Sequence, residues 1–199
     1  MASVLKVDKL DPQSGTALEI GTSGDTINVP SGVTLDINSG ATLDATGATI
    51  TGALANTPAW LVYLGSNQTL TNATETKVQF GTEAFDTDGV YDNATDYDVT
   101  IPSGKGGKYF IEAASFFDDC DAGQYSSLKL YKNGADYTTP RFFSQVSGAA
   151  SADNVFPEFS GVIELAAADT ISIYAYQNSG GDGNLRAYWC KFSGYKLIG

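Results

Sequence analysis

From Pro58 onward, apolar and polar residues alternate over short stretches, and turn-forming residues separate the stretches. A period of two is the signature of half-buried β-strands. Strands are predicted near Trp60–Leu64, Lys77–Phe80, Asp98–Ile101, Lys108–Ser115, Ser127–Lys132, Phe142–Val146, Gly161–Ala166, Thr170–Gln177 and Arg186–Leu197. Each is rich in aromatic or β-branched residues, which suit a pleated surface. Asn133-Gly134 between strand-like flanks is a strong hairpin signal. No stretch sustains helical periodicity. Many short strands without helices predict an all-β sandwich or jelly roll.

A different pattern precedes Pro58. Residues 24–52 read GDTINVPSGVTLDINSGATLDATGATITG. Gly24, Gly32, Gly40 and Gly47 recur at spacings of 8, 8 and 7, each followed two positions later by Thr and then an aliphatic residue. The aliphatic positions are Ile27, Leu35, Leu43 and Ile50. The pattern predicts very short strands joined by Gly-containing turns, a repeat rather than a linker, because a linker needs no register. One chain cannot close such a repeat. Two aliphatic side chains per unit do not offset the ordering of eight backbones, and every strand edge stays open. Three chains around a common axis would bury Ile27, Leu35, Leu43 and Ile50 together. The expected organisation is a segment 1–22, a trimeric β-repeat stalk over 23–57 and a jelly-roll head over 58–199.

Composition narrows the function. The 199 residues include 11 Lys and Arg against 23 Asp and Glu, a net charge of −12. Such a surface repels nucleic acid and anionic membranes. The chain contains no histidine, which removes the commonest general base and metal ligand. Cys120 and Cys190 are expected as two buried thiols, with a disulfide as the alternative. The first fifteen residues lack a long apolar core, so no export signal is expected. No apolar run is long enough to span a bilayer.

Candidate chemistry is sparse. Asp86, Asp88, Asp92, Asp96 and Asp98 form an acidic loop that begins like a Ca²⁺ loop but carries Tyr97 where an EF-hand needs Glu. Asp118, Asp119 and Asp121 crowd one turn, and three copies around an axis could hold Ca²⁺. Otherwise no cofactor is expected. Asn67, Asn72 and Asn93 match glycosylation acceptors and are read as polar turns. No nucleophile elbow or phosphate loop appears, and no segment resembles an added catalytic domain. Tyr125, Tyr137, Arg141 and Phe142 are candidates for stacking on sugar rings, with a place in the core as the competing reading.

Two resemblances extend this picture. MASVLKVDKLDPQSGTALEIGTSGDTI resembles the N-terminal segment of tail-fibre and related virion fibre proteins of marine bacteriophages. It implies an N-terminus that anchors a fibre to a virion, so that the protein is made in the host cytoplasm and ends on the phage tail or capsid surface. Residues 59–199 resemble the C1q/TNF-like jelly roll. The pieces are Ile101-Pro102 with Gly107-Lys108-Tyr109-Phe110, then Leu130-Tyr131-Lys132-Asn133-Gly134, then Ser160 to Leu165 with Asp169-Thr170, and finally Phe192-Ser193-Gly194-Tyr195-Lys196-Leu197. Two departures stand out: a longer turn after Pro102, and Ala168 where the family often has Gly. The resemblance implies a compact homotrimer that uses outer loops for recognition. Together they lead to the expectation of a homotrimeric, non-catalytic phage fibre that adheres to a host surface glycan or protein. A structural or decoration fibre is the alternative, followed by a non-viral adhesin and a glycan-cleaving tailspike-like enzyme.

Overall fold

The computed structural model describes Ile20, Ser23, Gly24, residues 26–34, Asp36, Ile37, Ser39, Ala41, Thr42, Asp44, residues 56–149 and residues 153–198, with only the backbone of Asp119 and Asp153. The chain divides into two units, Met1–Thr49 and Ile50–Gly199.

In the first unit the described residues include two of the expected glycine turns. Ser23-Gly24 and Ser31-Gly32 turn, with Gly32 at φ +83° and Val33 N–H donating to the Pro30 carbonyl at 3.1 Å. No strand forms among the described residues, and Ile27 stands 65% exposed beside the exposed Val29, Val33 and Ile37. A strand needs a ladder partner, and one copy of so thin a strip supplies none. Leu35, Leu43 and Ile50 lie outside the described residues.

The second unit is all-β, with no helix among its described residues. Its strands are β1 (Ala59–Tyr63), β2 (Gln68–Leu70), β3 (Thr76–Lys77), β4 (Thr82–Asp86), β5 (Val99–Thr100) and β6 (Gly107–Ala114). Then come β7 (Phe117–Cys120), β8 (Tyr125–Lys132), β9 (Ala135–Asp136), β10 (Phe143–Ser147) and β11 (Asp153–Val155). The chain closes with β12 (Glu158–Leu165), β13 (Thr170–Gln177), β14 (Gly183–Leu185) and β15 (Lys191–Lys196). One sheet runs β12-β6-β15-β1-β4. The other runs β10-β8-β13-β3, with β5 beside β13 and β9 beside β8. A small sheet, β11-β7-β14-β2, lies at one end. Every ladder is antiparallel.

Alternation places the core between the two large sheets. Trp60, Val62, Tyr109, Ile111, Ala113, Ile163, Leu165 and Phe192 point in from one, and Leu128, Leu130, Ile171, Ile173 and Ala175 from the other. Two sequence expectations need correction. Lys77–Phe80 is not a continuous strand: only Thr76–Lys77 pairs, while Val78 and Phe80 are buried. Arg186–Leu197 is broken by a turn before Lys191, with Tyr188 at φ +65°. The small end sheet was not predicted at all.

Candidate functional site

The outer face of the β10-β8-β13 sheet carries a groove. Tyr125, Ser127 and Lys129 point outward from β8 because Ser126, Leu128 and Leu130 point inward. Register sets Ser127 between Gln145 of β10 and Tyr176 of β13, and Lys129 between Phe143 and Tyr174. A serine among aromatic and long side chains leaves a depression, with Ser127 only 2% exposed at its floor. The cavity has a volume of about 350 Å³ and is lined by Glu75, Tyr125, Ser127, Lys129, Arg141, Phe143, Gln145 and Tyr176.

Its charges are paired. Lys129 Nζ contacts Glu75 Oε1 and lies 3.8 Å from Asp136 Oδ2, which also takes Arg141 Nη2 at 3.3 Å. The Tyr131 hydroxyl donates to Glu75 Oε2, and burial, followed by the Asp136 charge, raises the Tyr131 phenol above its ordinary value. Aromatic rings form the walls. Tyr125 and Tyr176 stack at 5.5 Å and 23°, and the Arg141 guanidinium sits 4.5 Å from the Phe143 ring centroid. A hydrogen bond with Tyr125 is the first cause that raises the Tyr176 phenol.

Two predicted recognition residues, Tyr125 and Arg141, therefore meet in this groove. The other two do not. Tyr137 packs half-buried against the core, with Phe142 at 6.1 Å and Lys132 Nζ at 5.9 Å from its ring. Phe142 is only 7% exposed, belongs to the core cluster and rests its ring on Gly161. Sequence reasoning missed Glu75, Ser127, Lys129, Phe143, Gln145 and Tyr176. Alternation within Tyr125–Lys132 could have named the outward face of β8, but the register across three strands is not legible in the chain.

The acidic residues serve local geometry. Asp118 pairs with Arg186, and Asp121 is exposed in the following turn. The side chain of Asp119 lies outside the description. Among the described residues no group of three His, Cys, Asp or Glu side chains is arranged to hold a metal ion. In the preceding loop Asp86 accepts the Tyr91 N–H at 2.8 Å. Asp92 accepts those of Ala94 and Thr95 at 2.9 and 2.8 Å, and these bonds hold its carboxyl below the ordinary value. Asp98 pairs with Lys77 at 2.7 Å. Asn67 Oδ1 and Asn72 Oδ1 accept the N–H groups of Ala187 and Gly180, so both residues hold turns.

The outer face of the other large sheet carries one apolar row between polar positions such as Lys108 and Glu164 on one side and Glu112, Ser160 and Ser193 on the other. Val162, Phe110, Tyr195 and Ala59 stand side by side across β12, β6, β15 and β1. Val162, Phe85 and Tyr195 are exposed on it. At the end of the sheet away from Pro58, Tyr188 and Trp189 are 75% and 65% exposed. Phe116 gathers Phe156 at 4.5 Å and Trp189 at 5.5 Å.

No protein-family model matches the chain, and no curated protein matches its sequence. Solved structures do match. Murine APRIL is 16% identical over 70% of this chain and 99% of its own, with a TM-score of 0.50. The globular domain of zebrafish complement 1qA protein is 16% identical over 71% of this chain and 98% of its own, at 0.47. Eiger TNF from S. frugiperda is 10% identical over 70% and 92%, at 0.49. The likeness is one of fold: the sandwich is a C1q/TNF-like jelly roll.

Proposed function

We propose that the chain is a homotrimeric, non-catalytic adhesion protein of the phage-fibre type, with residues 1–22 as virion anchor, 23–57 as stalk and 58–199 as head. The observation that carries self-association is the apolar row Val162, Phe110, Tyr195 and Ala59, extended by Leu61 and Phe85. An exposed apolar row rimmed by polar residues fits association with copies of itself. The Gly-Thr-aliphatic repeat supports the same stoichiometry independently, because Ile27, the described one of its four aliphatic positions, lacks cover in a single copy. The resemblance to C1q/TNF jelly rolls implies a trimer as well. Ligand recognition falls to the groove on the opposite sheet, which copies joined through the apolar row would leave open.

The test has two arms. Light scattering on the full chain should give three copies, and a stable monomer overturns the fibre reading. Fluorescently labelled full-length protein should decorate some members of a panel of bacterial cells. If it assembles as a trimer but decorates none, the adhesion reading gives way to that of a structural or decoration fibre.

A further inference from the structure

The chemistry of the groove selects among ligands. Its two cations, Lys129 and Arg141, are matched by two carboxylates, Glu75 and Asp136, through contacts already made within the chain. It therefore offers no uncompensated positive charge to a phosphate, sulfate or carboxylate. The net charge of −12 further opposes a polyanion. What remains open is neutral: the Gln145 amide and the Ser127 hydroxyl make no side-chain hydrogen bond to the described residues. The Arg141 guanidinium is 46% exposed and uses one nitrogen on Asp136, leaving further donors free. Around these stand the rings of Tyr125, Tyr176 and Phe143.

Flat apolar walls beside amide, hydroxyl and guanidinium groups suit a molecule with a C–H face and a rim of hydroxyls. A volume of about 350 Å³ lies at the small end of ligand sites, which run from roughly 300 to 1,000 Å³. We propose that this groove binds an uncharged saccharide, packed against the Tyr125–Tyr176 pair over Ser127 and hydrogen-bonded by Gln145 and Arg141. The assignment rests on the adhesion reading and gives its ligand a chemical class.

The consequences differ from those of a charge-driven site. Affinity should be nearly independent of salt, because no ion pair forms on binding. Discrimination should come from hydroxyl geometry rather than charge.

The test uses full-length protein on an array of neutral mono-, di- and oligosaccharides beside sialylated, sulfated and uronic-acid glycans, at low and high salt. Saturation-transfer NMR would then be run on the neutral probes that bind. The expected result is binding of a neutral subset, unchanged by salt. Gln145→Ala, at an exposed position, should weaken it by about fivefold, the loss of one hydrogen bond. Ser127→Leu fills the floor and should abolish it, with an unchanged circular dichroism spectrum as control. The proposal is overturned if no neutral glycan binds, if anionic glycans bind better, or if both variants bind like wild type. Cell decoration by the same proteins separates this failure from that of the adhesion reading. Decoration lost in Ser127→Leu without any neutral glycan bound points to a protein ligand in the groove, which overturns the saccharide alone. Absence of decoration by wild type overturns adhesion itself.

Discussion

Asn133 and Asp169, 36 residues apart, are hydrogen-bonded to each other: Asn133 Nδ2 donates to Asp169 Oδ1 at 2.8 Å. The other side of the same amide, Oδ1, accepts the Thr170 N–H at 2.8 Å. Asp169 Oδ2 takes Lys132 Nζ at 2.8 Å and the Ala166 N–H at 2.7 Å. The β8–β9 hairpin and the β12–β13 turn are thus fastened together at one end of the sandwich. Two sequence fragments that resembled the C1q/TNF family, Leu130–Gly134 and Asp169-Thr170, owe their residue types to this junction.

The junction predicts an acid dependence. Burial pushes the Asp169 carboxyl up, but bonds from Asn133, Lys132 and the Ala166 N–H, with the Lys132 charge, outweigh it and hold the group below its ordinary value. A carboxyl depressed in the folded state contributes its stability fully above the unfolded pKa of about 3.9. That contribution is lost as pH falls through the folded value. Asp169→Asn should therefore be less stable than wild type at neutral pH by about 1–3 kcal/mol. In urea melts the gap should narrow steadily below about pH 4. A gap of constant size across that range would assign the effect to shape rather than charge.

Ala168, in the same turn, has φ +69°, a left-handed conformation that its Cβ disfavours. The sequence departed here from the glycine that the family often carries, and the backbone shows what that departure costs. Ala168→Gly should raise stability by about 0.5–1 kcal/mol, read as a higher urea midpoint at unchanged slope. Gly134→Ala, at φ +77° with open space where its Cβ would go, should lose a similar amount. Equal midpoints for Ala168→Gly and wild type would show that the turn tolerates the strain without penalty.

What was legible in the sequence was burial, and what was hidden was pairing. Trp60–Leu64, Lys108–Ser115 and Thr170–Gln177 were readable because one face meets the core, and the structure places strands there. Gly194 and Gly161 were readable as motif glycines, and their cause is now visible: a Cβ at 194 would strike the Trp60 ring, and one at 161 the Phe142 ring. The strands β2, β7, β11 and β14 left no such trace. Each has three or four residues, and their ladders join distant positions such as Thr69 and Asn184, with side chains bonded at 3.0 Å. For the groove, Tyr125 and Arg141 were chosen for type alone. Ser127, which makes the depression, was invisible because its importance lies in being small between Gln145 and Tyr176.

The thiols should be silent in the native protein. Cys120 and Cys190 are buried thiols and form no disulfide with each other. Burial pushes the Cys190 thiol up to about 11, against backbone hydrogen bonds at Phe116 and Arg186. Since the thiolate is the reactive form, labelling with a chromogenic disulfide at pH 8 should run at least about a hundredfold slower than for free cysteine. Both thiols should then react in denaturant. Fast reaction of the folded chain would mean that the end of the sandwich holding them opens readily.

The last prediction separates the two supports of the proposed trimer. Val162 lies opposite Phe110 in the apolar row of the outer face and is half exposed in one copy. Val162→Glu should change the stability of a monomer by no more than about 0.5 kcal/mol, as surface substitutions usually do. Buried between copies, the same carboxylate would be costly without a partner. Leu35→Asp with Leu43→Asp places charge at two positions that the repeat assigns to the stalk axis. If head and stalk each hold three copies, light scattering on the full chain should show trimers weakened by either change and monomers when the two are combined. A trimer that survives Val162→Glu but not the leucine changes would make the stalk the sole clamp. A trimer untouched by the leucine changes would return residues 23–57 to the role of a linker.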